Sequence, residues 1–259
     1  MKYALLTILF NLIFMQDANI LDNEKSFLYT GNWPVNKNKE SIIENSNTGK
    51  LDCPGGLGCE CIIIDDCINS NCIKHLKGDY FCALKEGDTF PHFKAIDQFN
   101  EVVDIYDFAN NEDKYILIEM GASWCSPCHA LAGWFAWNED EIKSKRFWKK
   151  DYELIYDLVK NKDVYFITIL YEDEFRDTAT YDTAYEWYNT YPDDYIPILV
   201  DENKLLHKII RPTGIPAISL IGPDMKIIDL SSRGFNSAFD YLVEKFKNKT
   251  HEKNIPISK

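Results

Sequence analysis

Residues 121–130 read GASWCSPCHA, in which Cys125 and Cys128 bracket a Ser-Pro pair. A C-x-x-C spacing serves three chemistries: a structural bridge, half of a metal site, or a working redox pair. At the start of a helix, positions i and i+3 lie on neighbouring faces of the first turn, close enough to close a disulfide. The unpaired N–H groups and the dipole of a helix N-terminus favour a negative charge there. They stabilise a thiolate, which is the nucleophile in thiol chemistry. Cys125 is therefore predicted exposed and attacking, and Cys128, one turn inward, buried and resolving. Pro127 is tolerated in a first turn, where its missing N–H costs little. No second cysteine knuckle lies near the pair, so no metal is expected there and no cofactor is implied.

A buried resolving thiol needs a base. Glu119 lies six positions before Cys125 in the apolar run KYILIEM. A carboxyl on a buried strand is costly unless it is paired or protonated. Glu119 is therefore read as a proton relay for Cys128, against the plainer reading that strand alternation turns it to solvent. Farther along, TGIPA at 213–217 precedes a strand. Pro216 suits a first strand position after a Gly turn, and a cis bond would sit there if the loop faced the cysteines; an ordinary trans loop fits the spacing equally.

The elements that must hold these groups are legible in outline. A leading hairpin is predicted over 93–99 and 101–105, and a buried strand over 114–120. A helix is predicted from the cysteine pair through 137 and another over 148–160. A central strand at 164–171 and a helix at 180–191 follow. The helix carries Tyr181, Ala184, Tyr185 and Tyr188 at helical spacing, a stripe read as core packing. A short strand at 196–200, a helical stretch at 204–210, strands at 217–221 and 226–230 around a Gly-Pro-Asp turn, and an amphipathic helix over 237–246 complete the chain. Alternating strands and helices of this kind predict an α/β fold, a central mixed β-sheet with helices on both faces.

The combination of WCSPC after a strand, an acidic residue six before it, a distant Ile-Pro and a closing hairpin and helix resembles the thioredoxin superfamily. EGDTFPHF at 86–93 is similar to its redoxin and TlpA-like branch of extracytoplasmic thiol–disulfide oxidoreductases. The resemblance spans residues 86–249. It implies that Cys125 attacks substrate disulfides, that Cys128 resolves the mixed disulfide, and that Glu119 assists proton transfer. It also implies that Ile215–Pro216 is a cis peptide against the pair, its backbone receiving the substrate strand. Trp124, Pro127, Gly214, Ile215 and Pro216 are then the substrate-binding set. Ser-Pro replaces the family's commoner Gly-Pro between the cysteines, which shifts the redox poise; about 30 mV corresponds to only about 1.4 kcal/mol. His129, next to Cys128, is read as a helix-surface residue rather than a thiolate partner. Trp134, Trp137, Phe147 and Trp148 either cover a substrate groove or belong to the core. The Thr-x-x-Cys arrangement of peroxidatic peroxiredoxins is not found.

Upstream, Cys53, Cys59, Cys61, Cys67, Cys72 and Cys82 crowd one glycine- and Asn/Asp-rich segment, read as a disulfide-stapled module over 53–85. Six cysteines allow fifteen connectivities, and the sequence does not choose among them. Ile62-Ile63-Ile64 is the one run there that could form a strand. The module is read either as a protein-binding or targeting unit or as a stapled spacer. Residues 19–52 are polar and read as a linker or loosely ordered arm, against the weaker alternative of a partner-binding segment around Phe27-Leu28-Tyr29 and Trp33. At the N-terminus, Lys2 and the apolar run at 3–15 read as a signal peptide over 1–18, with an uncleaved anchor as the rival. The prediction is an exported chain, with membrane contact only if that segment is retained. Residues 250–259 are read as a tail.

The net charge of −13 repels phosphate backbones and anionic lipid heads, which argues against nucleic acid as a partner. The partners expected are protein thiols and disulfides and an unidentified redox donor or acceptor. Two functional classes follow: an exported thiol–disulfide oxidoreductase, and a secreted binding protein on a redox-inert scaffold of the same fold. Direction of electron flow, substrate and oligomeric state are not encoded in any motif.

Overall fold

The structure is a computed structural model that describes Gly31, Trp33, Pro34, residues 51–109 and residues 113–253, with side chains to Lys247. The predicted signal peptide, Phe27-Leu28-Tyr29 and residues 254–259 lie outside the described residues. Residues 51–109 and 113–253 belong to one compact unit.

In chain order, β1 (Cys72–Lys74) and β2 (Tyr80–Cys82) form a hairpin in the cysteine-rich module. β3 (Lys94–Ile96) and β4 (Val102–Asp104) form the predicted leading hairpin. Then come β5 (Tyr115–Gly121), α1 (Ser126–Trp137), α2 (Glu153–Lys160), β6 (Val164–Leu170) and α3 (Tyr181–Thr190). β7 (Ile198–Val200), α4 (Leu205–Ile210), β8 (Ala217–Ile221), β9 (Ile227–Asp229) and α5 (Asn236–Lys253) complete it. Five strands make one mixed sheet in the order β7-β6-β5-β8-β9. β5 runs parallel to β6 and antiparallel to β8, so it sits at the centre.

Burial on both faces explains why β5 and β6 read as nearly unbroken apolar runs. Ile116, Ile118 and Met120 of β5 join Ile167 and Ile169 of β6 against the β3–β4 hairpin and α4. The alternate residues Leu117, Val164 and Phe166 face α1, α2 and α5 through Leu131, Trp134, Ile155 and Phe239. Helices thus cover both faces, and the sheet order with its terminal hairpin and helix is a thioredoxin-like fold. Trp134 is fully buried core, whereas Trp137 and Phe147 are exposed. On α3 the buried side chains are Thr183, Ala184 and Trp187; Tyr185 points outward, so the packing stripe lies offset from the predicted one. α5 extends beyond the predicted 237–246.

The cysteine-rich module has an inside made of sulfur rather than aliphatic side chains. Its bridges are Cys53–Cys59, Cys61–Cys72 and Cys67–Cys82, with Cys61, Cys67 and Cys82 buried together. Ile62 and Ile63 do not form a strand. The Asp66 carboxylate accepts their backbone N–H groups at 2.7 and 3.0 Å, winding 64–66 into a 3-10 turn that turns all three isoleucines outward. A unit that buries so little apolar surface needs covalent staples. Trp33, from the segment read as a linker or arm, is buried in the core of the sheet's hairpin face and stacks on Phe99 with ring centroids 5.8 Å apart. Among the described residues, no helix is long and apolar enough to cross a membrane.

Candidate active site

β5 delivers the cysteine motif to the sheet's end, and α1 begins on it. Cys125 is the N-cap of α1, with Pro127 in its first turn. The Cys128 N–H points at Cys125 Sγ from 3.3 Å, and the N–H groups of Cys128 and His129 donate to the Cys125 carbonyl at 3.0 and 3.1 Å. Donors converging on this end of the helix favour negative charge on Cys125 in the reduced state. Cys125 and Cys128 are bonded to each other. The prediction of an exposed Cys125 does not hold: it is only 2% exposed, and Cys128 1%. The pair lies in an apolar cluster with Leu170, Trp187, Ile198 and Val200, flanked by Trp124 and Ile215. The first turn of α1 packs its sulfur side inward, with Ser126 exposed and Pro127 and His129 half-buried.

Glu119 is buried, as the relay reading requires. It points to the face opposite Ile118 and Met120, the one α1 covers, so alternation carries it inward rather than to solvent. Its register partner on β6 is Thr168, whose hydroxyl donates to Oε2 at 2.9 Å. Oε1 has no hydrogen-bond partner. A methyl group added to Gly121 would lie 3.6 Å from both Cys128 Sγ and Glu119 Oε1. The free carboxyl oxygen and the resolving sulfur therefore border one point and lie no farther from each other than twice that distance. A cavity of about 20 Å³ beside the carboxyl, lined in part by Thr168, Tyr191 and Asp193, is large enough for one water. Burial pushes the Glu119 carboxyl up to about 7, with the Thr168 hydrogen bond pulling the other way.

Ile215–Pro216 is a cis peptide, as the resemblance implies, and Ile215 packs against the cysteine cluster. Gly214 lies where a side chain would meet Arg233: an added Cβ would sit 2.8 Å from Arg233 Cδ. Its loop is tied to the segment between β9 and α5, with Thr213 N–H donating to the Ser232 carbonyl at 2.7 Å and Gly234 N–H to that of Pro216 at 2.6 Å. Trp124, half-buried, donates its indole N–H to Glu172 at 2.8 Å, and Glu172 is paired with Lys204 at 2.7 Å. The structure thus brings Cys125, Cys128, Glu119, Trp124, Pro127 and Ile215 around one point, with Gly214 and Pro216 in the adjoining loop.

The reading of His129 as a helix-surface residue is corrected, and its company was not singled out from sequence. His129 is not a free surface residue: Nε2 donates to the Ser123 carbonyl at 2.5 Å, Nδ1 meets the Tyr191 hydroxyl at 2.9 Å, and the ring packs on Trp187. Arg176, with a left-handed backbone at φ +71°, lays its guanidinium 3.9 Å from the Trp124 ring centroid. A groove of about 380 Å³ starts at Ser123 and His129 and carries Asp173, Glu174, Asp182 and Glu186. His129 was visible as a neighbour of Cys128, but nothing in the sequence marked Thr168, Glu172 or Arg176 as its company. In the module, the sulfurs of Cys61, Cys67 and Cys82 lie within 4.8 Å of one another. Each is bonded in a bridge, so none is the thiolate a metal requires.

No protein-family model and no curated protein matches the chain. Solved structures do. The thioredoxin domain of a thiol-disulfide oxidoreductase from Bacteroides vulgatus is 20% identical, with 63% of this chain and 99% of that chain covered at a TM-score of 0.43. A thiol:disulfide interchange protein from a Bacteroides species is also 20% identical, covering 64% and 91% at 0.42. A peroxidoxin from Mycobacterium tuberculosis is 15% identical, covering 64% and 97% at 0.44. These likenesses concern the fold, whose assignment rests on the strand order and connections described above.

Proposed function

We propose that the protein is an exported thiol–disulfide oxidoreductase acting on protein substrates through Cys125 and Cys128. The observation that carries this reading is the bridged pair at the start of α1 with a buried, half-satisfied Glu119 behind it. In the reducing direction, the Cys125 thiolate attacks one sulfur of a substrate disulfide. A mixed disulfide forms and the other substrate sulfur leaves as a thiolate. Cys128 gives its proton to the Glu119 carboxylate and attacks Cys125 Sγ. The 125–128 bridge closes, the second substrate thiolate leaves, and two electrons have passed to the substrate. Run backwards, the same steps oxidise a substrate dithiol.

A carboxyl near 7 suits the relay, because an acid–base group works best when its value lies near the working pH. The 213–216 loop is read as the edge that receives the substrate backbone, with Trp124 and Pro127 on its cysteine side. A redox donor or acceptor must complete the cycle. Export is read from Lys2, the apolar run at 3–15 and the pairing of all eight cysteines, which suits an oxidising compartment. The division into leader, arm, stapled module, thioredoxin-like domain at 86–249 and tail belongs to the same proposal.

The burial of Cys125 favours a second reading, the redox-inert scaffold that binds a partner. Insulin reduction separates the two. Wild type is expected to turn over and Cys125→Ser to be inactive; equal rates in both proteins would leave the scaffold reading standing.

A further inference from the structure

Arg211 joins the cysteine-rich module to the helix that leads into the 213–216 loop. Arg211 closes α4 in a left-handed conformation, φ 47° and ψ 60°, five positions before Pro216. Its side chain leaves the sheet region and enters the module, where it makes three different contacts. The guanidinium pairs with Asp79 in the β1–β2 turn. Nη2 donates to the Gly58 carbonyl at 3.0 Å. The guanidinium carbon lies over the ring of Phe81, 4.2 Å from its centroid, and Phe81 is buried on β2. These partners sit beside different staples: Gly58 precedes Cys59, and Phe81 precedes Cys82. The two segments are tied to each other, with Gly58 N–H donating to the Cys82 carbonyl at 2.8 Å and Cys82 N–H to that of Cys59 at 2.9 Å.

The approach is close along the backbone as well. Gly58 has φ +81°, and a Cβ there would lie 3.0 Å from the Lys208 carbonyl oxygen of α4. The far end of α4 is fixed independently, by the buried Asp201 carboxylate accepting from Leu205 N–H at 2.7 Å and His207 N–H at 2.8 Å. α4 is thus held at both ends. The chain that leaves its module-bound end is the 212–216 segment carrying Gly214, Ile215 and Pro216.

We propose that the module is a positioning device for the 213–216 loop, acting through Arg211. It fixes where α4 ends and hence where the loop meets a substrate backbone. A planar fork that stacks and pairs at once restricts position more tightly than a point charge would, so lysine is a poor replacement. Arg211 is a positioning residue: it reaches neither the cysteines nor Glu119. The inference rests on the exchange reading given above.

The test compares wild type, Arg211→Ala, Arg211→Lys and Asp79→Asn as full chains, each checked for its thermal transition. Two substrates are used: insulin, which must lay a backbone on the loop, and 5,5′-dithiobis(2-nitrobenzoate), a small disulfide with no backbone. The reduction potential of the 125–128 pair is the third readout. Arg211→Ala is expected to lose about tenfold in kcat/KM on insulin, carried by KM, with Arg211→Lys and Asp79→Asn between it and wild type. Rates with the small disulfide and the potential should stay at wild-type values. Folded variants with unchanged insulin KM would make the module a spacer and overturn the proposal. Equal losses on both substrates, or a shifted potential, would overturn it too, by placing the effect on the cysteines. Wild type inert toward both substrates would overturn the exchange reading itself and this inference with it. Should Arg211→Ala fail to fold, Asp79→Asn, which keeps the guanidinium and its stack, carries the comparison.

Discussion

Glu119 holds one oxygen against the Thr168 hydroxyl and leaves the other without a hydrogen bond, bordering the same point as Cys128 Sγ, and both its stability and its chemistry follow from that position. Its folded value of about 7 lies above the ordinary 4.5. Between those values the folded chain keeps a proton that the unfolded chain has released. The resulting stability is complete below pH 4.5 and is lost as pH rises through 7. The difference amounts to about 3 kcal/mol. His207 opposes it over an overlapping range. Burial against Tyr171 pushes its imidazole down to about 4, so stability there falls as pH drops from 6.5 toward 4. Comparing Glu119→Gln with wild type cancels the histidine. The variant should match wild type in urea denaturation at pH 4 and exceed it by about 3 kcal/mol at pH 8. No change in the difference between those pH values would mean that the carboxyl ionises as if in water. The same substitution should slow resolution of the mixed disulfide by about a hundredfold. Mass spectrometry would then find the Cys125-linked substrate adduct accumulating. Asp193 shares the cavity but is held by Lys160 at 2.6 Å, which makes Glu119 the carboxyl available to Cys128.

At the scale of elements, the staples of the module should rank by the length of chain they close. Cys67–Cys82 spans 15 positions, Cys61–Cys72 spans 11 and Cys53–Cys59 spans 6. Loop-closure entropy puts their contributions at about 3 kcal/mol for the first and about 2 kcal/mol for the last. Replacing each pair by alanines and following urea denaturation should reproduce that order, with Cys67→Ala/Cys82→Ala the largest loss; a reversed order would show that packing around Gly58, not chain entropy, sets the effect. The elements themselves were largely legible in the sequence, because β5 and β6 are continuous apolar runs and α1 is announced by two cysteines and a proline. The bridges were not, since connectivity depends on how 53–82 winds around itself. Nor was the outward turn of Ile62 and Ile63, which a single Asp66 carboxylate decides. Trp33 and Arg211 were illegible for a related reason. Each is one side chain whose partner is remote: Arg211 meets Gly58 across 153 positions.

The whole molecule carries a net charge of −13, and part of it is gathered beside the chemistry. The groove that starts at Ser123 and His129 presents Asp173, Glu174, Asp182 and Glu186. Nearby cations are already engaged: Lys204 with Glu172, and Arg176 on the Trp124 ring. A field of one sign around a cleft raises the encounter rate of ligands of the other sign, by about tenfold or more at low ionic strength. Two disulfide-bearing peptides that differ only in replacing flanking lysines by glutamates would measure it. The lysine peptide should show the higher kcat/KM by about tenfold near 0.01 M salt, where the screening length is about 30 Å. The two should converge near 1 M, where that length falls to about 3 Å. The convergence is what assigns the preference to long-range steering, because a direct contact between a lysine and a groove carboxylate would survive high salt in part. A preference that salt leaves untouched would therefore move the selectivity from the net charge to particular groove residues, and equal rates at low salt would show that the cysteine end of the sheet sits outside the negative field.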